Sequence, residues 1–224
     1  LHKRCPDATV VLFPSDHFIL EEDLFIDHVR LAVHAVQQAP SQTVLLAMEA
    51  KWAETEYGYV VPADSIGHID LYGCRRAAHF VEKPDVEEAR LLVAAGALWN
   101  TMIMVFKVET LFCQIQTLFP DVATQFSALA KVIGTKAEKR KLRKIYLQLR
   151  PLNFSKEILE KIAVRFPGAI SVLPVLQVTW SDWGSPQRLI EMKESIARPA
   201  GPTRPPQHLP LPLGGRPSPK AALP

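Results

Sequence analysis

The chain has 224 residues, 48% of them hydrophobic, which is enough for one substantial core, and length alone favours one domain plus appendages. Its formal charge of +3 arises from 26 basic against 23 acidic residues, a near balance that gives no reason to expect a polyanionic partner such as nucleic acid. Three scattered cysteines, Cys5, Cys74 and Cys113, suit neither a disulfide framework nor a zinc site, and no apolar stretch approaches the ~20 residues that span a bilayer, so a reducing cytoplasm without membrane attachment is expected. Leu1 to Arg4 does not open a signal peptide, and the absence of an initiating Met suggests a chain that begins inside a longer protein.

Thr9 to Phe13 is a β-branched apolar run closed by Pro14, which reads as a buried strand with Asp16 in the loop beyond its C-terminal end. Phe25, Val29, Ala32, Val33 and Val36 recur at helical spacing behind the acids Glu21, Glu22 and Asp23, with Pro40 past the end. Thr43 to Met48 returns as a second buried strand. The three elements form a strand, helix, strand unit with a right-handed crossover, so a parallel sheet is expected.

Tyr57 to Val61, Ala78 to Val81 and Met102 to Lys107 read as further strands, and Val86 to Ala95, stopped by Gly96, as a helix. From about 109 to 150 the pattern turns helical, which predicts an insertion or cap. Ser155 to Ile162 continues as a short helix, and Ala169 to Leu173 is the strand that leads to Trp180. The alternation predicts an α/β protein of residues 1–195. Beyond it, Ala197 to Pro224 holds nine of the nineteen prolines, with Gly201, Gly214 and Gly215. A disordered, solvated tail is expected there, because so little can be buried to offset ordering.

Six positions stand out chemically. Asp16 lies in Phe13-Pro14-Ser15-Asp16-His17 and Asp182 in Trp180-Ser181-Asp182-Trp183-Gly184-Ser185, each after a strand, so a sheet edge would bring the two carboxylates together as a magnesium site. Glu82 and Lys83 precede Pro84 at the end of a strand, where Lys83 can hold an anion and Glu82 can accept hydroxyl protons; a plain surface Glu-Lys pair is the competing reading. Asn100 offers a donor and acceptors, yet an Asn before a strand is most often a turn former. Gly58 permits close approach to the backbone or marks a bulge.

In order, the segments PSDH, EYGYV, FVEKP, WNT, NFSKEILEK and WSDWGS resemble the sugar-phosphate nucleotidyltransferases, most closely their mannose-1-phosphate guanylyltransferase branch, across Val10 to Glu194. The resemblance implies a Rossmann-like fold with a mostly parallel mixed sheet flanked by helices. It also implies that a sugar 1-phosphate, mannose 1-phosphate in that branch, attacks the α-phosphorus of a nucleoside triphosphate, GTP in that branch, and releases pyrophosphate. By the same resemblance Asp16 and Asp182 hold Mg2+, Lys83 grips the sugar phosphate, and Glu82, Asn100 and the Gly58 backbone read the sugar, with Asp16, Asp182 and Lys83 counted as catalytic. A homo-oligomer is compatible with it.

Two departures accompany the likeness. The family's glycine-rich triphosphate loop, of the form GxGxRLxPxT, is absent, so the domain is expected to lack its first strand and that loop, and the 224 residues alone are expected to be inactive. Ser155 stands where many guanylyltransferases carry an acid, which loosens the sugar assignment; UDP- or dTDP-glucose chemistry is one alternative, and a non-catalytic nucleotide-sugar-binding homologue, to be told apart by the upstream loop, is another.

Three other features read as structural. A sugar phosphate is already a competent nucleophile and needs no general base, so His17 is taken as structural; Trp180 and Trp183 are taken as core anchors. The basic run Lys136 to Lys144 shares its helix with an apolar stripe of Leu142, Ile145, Tyr146 and Leu149, so its charges are expected on a solvated face.

Overall fold

The computed structural model describes residues 1–63, 72–186, 188–190 and 193. Its strands are β1 (Thr9–Leu12), β2 (Phe18–Ile19), β3 (Thr43–Glu49), β4 (Gly58–Pro62), β5 (Arg75–Glu82), β6 (Leu98–Lys107), β7 (Ile170–Val175) and β8 (Trp180–Ser181). Six of them form one sheet in the order β1-β6-β3-β7-β5-β4, and β4 also pairs with β6, so the sheet partly closes on itself. β2 and β8 make a separate two-stranded ribbon.

The central strand shows why the run Val44 to Met48 is apolar throughout: every one of those residues is 3% exposed or less. Val44, Leu46 and Met48 point to one side, where α1 (Glu22–Gln38) and α2 (Val86–Ala94) supply Val29, Ala32, Val36, Ala89 and Leu92. Leu45 and Ala47 point to the other, where Ile158, Leu159 and Ile162 come from a π-helical turn at Phe154–Leu159 and the helix that continues it. A strand covered on both faces needs apolar residues at both parities. Burying each leucine contributes about 1.5–3 kcal/mol, so this strand anchors the domain.

The expected mostly parallel sheet is corrected. Among the described residues only β3 and β7 pair in parallel; the other five pairings of the sheet are antiparallel. β1 and β3 do point the same way across α1, but antiparallel β6 lies between them. Continuous apolar runs report burial on two faces and are silent about the direction of the neighbour, which is where the inference failed. β1 is corrected as well: it is half-buried to exposed at the end of the sheet, with one described partner strand.

The helical stretch after β6 consists of α3 (Val108–Leu118), α4 (Pro120–Ala130) and α5 (Glu138–Gln148). Pro120 starts α4 where its missing N–H costs nothing. In α5 only Ile145 is buried; Leu142 is 37% and Tyr146 65% exposed, so the apolar stripe predicted there is largely uncovered. The helix packs against α4 with one narrow line of contact, Tyr146 meeting the Phe126 ring edge-on. Helix α6 (Glu160–Arg165) follows the π turn and ends the helical layer.

Among the described residues no helix is long and apolar enough to cross a membrane. The proline-rich segment Ala197 to Pro224 lies outside the described residues.

Candidate functional site

Strand register brings three of the six expected residues side by side. Gly58 opens β4 directly between its two partners, Glu82 at the end of β5 and Asn100 near the start of β6. A Cβ at Gly58 would stand 2.6 Å from Glu82 Oε2 and 3.7 Å from Asn100 Cβ, so glycine here leaves room for the Glu82 carboxylate to lie across the strand. The bulge reading of Gly58 is therefore wrong; the β4 irregularity falls between Val61 and Pro62.

Asn100 is no turn former either, since it lies within a strand. Its setting comes from a bulge: Leu46 opposes Ile103 whereas Ala47 opposes Asn100, so Thr101 and Met102 are extra, and Met102 takes a left-handed φ of 58°. Buried Thr101 secures that bulge. Its hydroxyl donates to Leu46 O at 2.5 Å and accepts from Ile103 N at 3.2 Å. Asn100 Nδ2 then donates to Ser155 Oγ at 2.9 Å, and Asn100 Oδ1 accepts from Met102 N, which fixes the amide orientation.

Lys83 follows Glu82 with a φ of 49°, an uncommon conformation for a residue with a side chain. Its ammonium is exposed and sits 3.4 Å from Glu56 Oε2, so the Glu82-Lys83 pair expected from sequence is replaced by a cross-loop pair with Glu56. An exposed pair of this kind contributes about 0–1 kcal/mol and gives way easily to a better anion.

The β2–β8 ribbon joins the two aspartate loops. Phe18 opposes Ser181 and Ile19 opposes Trp180, so Asp16 and Asp182 lie just beyond the paired ends of the ribbon. Both carboxylates act electrostatically on the same ring, His17. Burial lowers the His17 pKa, Asp16 and Asp182 push it back up, and burial wins, which favours a neutral imidazole. His17 packs edge-on against Trp180 at 5.1 Å and its buried Nδ1 has no hydrogen-bond partner. Trp180 packs against the main core, but Trp183 is 44% exposed with a φ of 50° and stacks on Phe18, so it is not a core anchor.

Tyr57 links the two halves. It precedes Gly58, its ring meets those of Trp99 and Trp180, and its hydroxyl donates to Asp182 Oδ1 at 3.3 Å. Burial, then the Asp182 charge, holds its phenol well above the ordinary tyrosine range, so Tyr57 is a donor throughout the physiological pH range.

Sequence reasoning missed Arg188. Its Nη1 lies 2.9 Å from Asp182 Oδ1 and 3.0 Å from Oδ2, its Nη2 lies 3.6 Å from Glu54 Oε2, and its guanidinium stacks 4.2 Å above the Tyr57 ring. Burial disfavours the Arg188 charge, but Tyr57, Asp182 and Glu54 outweigh it and raise the pKa further. Nothing in the spacing of Asp182 and Arg188 signals this contact, because it is made by a long side chain folding back over a loop.

Magnesium asks for one or two carboxylates and leaves the remaining positions to phosphates and water. Asp16 and Asp182 are oxygen donors of that kind and both act on His17, while Glu54 shares Arg188 with Asp182. The chemistry of these two carboxylates would suit a divalent, oxygen-seeking cation. Among the described residues no group of three or more His, Cys, Asp or Glu could hold a metal by itself, so phosphate oxygens would have to complete the shell.

Two cavities lie away from this place. One of about 660 Å³ runs beside Gln42 and Gly168, before the N-terminal ends of β3 and β7, whereas Asn100 and Gly58 sit toward the C-terminal end of β3. The other, about 560 Å³ and apolar, lies among α3, α4 and the N-terminus.

Known proteins resemble this chain in sequence and in fold. The chain is 27% identical over 182 residues to a mannose-1-phosphate guanylyltransferase of Sinorhizobium fredii, a match covering 80% of this chain and 33% of that protein. It is 34% identical over 104 residues to the alginate biosynthesis protein AlgA of Pseudomonas aeruginosa, covering 46% of this chain and 21% of the relative. Among solved structures, a mannose-1-phosphate geranyltransferase from Thermus thermophilus superposes with a TM-score of 0.64 at 21% identity, covering 78% of this chain and 46% of that one, which supports the fold. The chain thus spans a third or less of the length of these curated relatives. The family model described as Nucleotidyl transferase matches residues 2–198, and the chain belongs to that family.

Proposed function

We propose that this protein transfers a nucleotidyl group to a sugar 1-phosphate, with mannose 1-phosphate and GTP as substrates and GDP-mannose and pyrophosphate as products. The observation that carries the reading is the cross-strand triplet Glu82-Gly58-Asn100, tied through Tyr57 to Asp182. Donors and acceptors suited to a polyol thus stand beside carboxylates suited to a phosphate-bound cation. The names of the relatives, mannose-1-phosphate guanylyltransferase among them, support the choice of sugar and base.

In this reading Lys83 leaves Glu56 and holds the sugar phosphate, while the Glu82 carboxylate and the Asn100 amide accept and donate hydrogen bonds to the ring hydroxyls over the open backbone of Gly58. A phosphate oxygen of the sugar attacks the α-phosphorus; the new P–O bond forms as the bond to the β-phosphate oxygen breaks and pyrophosphate departs. The dianion needs no base, which agrees with a His17 kept neutral and aside. Magnesium, held by Asp16 and Asp182, would supply charge neutralisation on the phosphates. The protein's share is then orientation and electrostatics. The setting proposed is cytoplasmic.

A second reading, a nucleotide-sugar-binding homologue without catalysis, has one observation in its favour: Asp182 is already neutralised by Arg188. Incubating the full-length protein with a panel of nucleoside triphosphates and sugar 1-phosphates, and resolving products by mass, separates the readings. GDP-mannose formation supports the first. Exclusive use of UTP with glucose 1-phosphate overturns the mannose assignment, and binding without product supports the second.

A further inference from the structure

The candidate metal ligand Asp182 is not a free carboxylate: both of its oxygens are engaged by Arg188 Nη1, and Oδ1 also accepts from Tyr57 and from Gly184 N. We infer that Arg188 is the resident cation of Asp182 and that a divalent ion enters the site by exchange with it, the guanidinium then pairing with Glu54. The inference rests on the metal reading above and adds to it a competing group within the chain.

Three features favour exchange over a fixed structural bridge. Arg188 Nη2 already lies 3.6 Å from Glu54 Oε2, so a small rotation at the end of the side chain improves the second pair while the first is given up. The Tyr57 face, 4.2 Å away, supports the guanidinium in either pairing, because stacking constrains the plane and leaves rotation within it open. The loop also spares the space the pair occupies: a Cβ on Gly184 would stand 2.9 Å from Arg188 Nη1 and 3.0 Å from Asp182 Oδ2.

The charges set the direction of the competition. With Arg188 on Asp182, an incoming cation meets a carboxylate whose attraction is already partly cancelled, and it must also approach a guanidinium of like sign. Glu54 relieves both costs by accepting the guanidinium, which is 14% exposed at its side chain and has little water to turn to. Arg188 is accordingly a positioning residue that sets how much metal the site demands.

The test is a Mn2+ titration with GDP-mannose present at a fixed concentration to supply the phosphate oxygens, read by the electron paramagnetic resonance of the free ion against a blank of GDP-mannose alone, with wild type, Arg188→Gln, Arg188→Lys, Asp182→Asn and the Arg188→Gln/Asp182→Asn double variant, each checked for folding by circular dichroism. Arg188→Gln should bind Mn2+ at least tenfold more tightly than wild type, a gain that misfolding cannot produce. Arg188→Lys, which keeps the charge and loses the fork, should fall between them, and the double variant should lose the gain. Equal or weaker binding by Arg188→Gln, with Asp182→Asn impaired, overturns the exchange and leaves the metal reading standing. Wild-type affinity in Asp182→Asn, or no binding by any form, overturns the metal reading and the exchange with it.

Discussion

The two halves of the candidate site are built on different principles. The sugar half is fixed by backbone ladders: Gly58, Glu82 and Asn100 are neighbours because β4 pairs with both β5 and β6 in one register, and a shift of one residue would turn every side chain to the other face. The metal half is held by side chains: Arg188, from the helical turn after the loop, and Tyr57 both reach Asp182, and Glu54, from the loop that carries Tyr57, reaches Arg188. A site set by register is rigid and tolerates little, whereas one set by charge can change partners.

The largest effect should come from the charge-built half. Asp182→Asn, and likewise Asp16→Asn, in the full-length protein should lower turnover by roughly 10³-fold or more, the scale of losing a ligand to a catalytic cation. Pyrophosphate release under saturating substrates measures it. A loss below tenfold for either residue would remove that residue from the site.

Gly58→Ala probes the register-built half. The added Cβ would collide with Glu82 Oε2 at 2.6 Å, yet that oxygen ends a flexible side chain that can swing away. Stability should therefore change by less than about 1 kcal/mol, while the KM for the sugar phosphate rises at least tenfold and kcat falls less. A drop in Tm with an unchanged KM would mean that Gly58 serves packing alone.

This contrast also explains what was legible in the sequence. Thr43 to Met48 and the α1 face were readable because burial writes itself into apolar periodicity, and Glu82 stood out at the end of a strand before Pro84, whereas Asn100 and Gly58 gained their expected roles from the family resemblance. Strand direction was not readable, so antiparallel β6 between β1 and β3 was missed. Nor was the Thr101-Met102 bulge, which depends on a hydroxyl reaching Leu46 O across 55 residues. Arg188 and Tyr57 were invisible as partners of Asp182, since long side chains that fold over loops leave no periodic trace.

Ser155 ties the register-built half to the helical layer through its hydroxyl alone, which accepts from Asn100 Nδ2 and donates to Met102 Sδ at 3.1 Å, so its removal should be milder. Ser155→Ala leaves Asn100 Nδ2 with only the weak Met102 Sδ acceptor at 3.4 Å, and a loss of about 1 kcal/mol in stability is expected from denaturant unfolding. A several-fold rise in sugar-phosphate KM should accompany it, because the amide is no longer held. Unchanged KM with the stability loss would confine Ser155 to packing.

The smallest effect is absent at neutral pH and belongs to His17, between the two carboxylates of the charge-built half. Burial lowers its folded-state pKa below the ordinary 6.5, so below about that pH the unfolded chain takes up a proton that the folded chain resists. The neutral-His17 contribution is fully present above the unfolded value and is lost as the pH falls toward the lower folded one. Tm measured between pH 7.5 and 5 should therefore decline more steeply in wild type than in His17→Gln, whose amide does not titrate, with the two curves parallel above pH 7. If both decline equally, the Asp16 and Asp182 charges offset the burial of His17 in full.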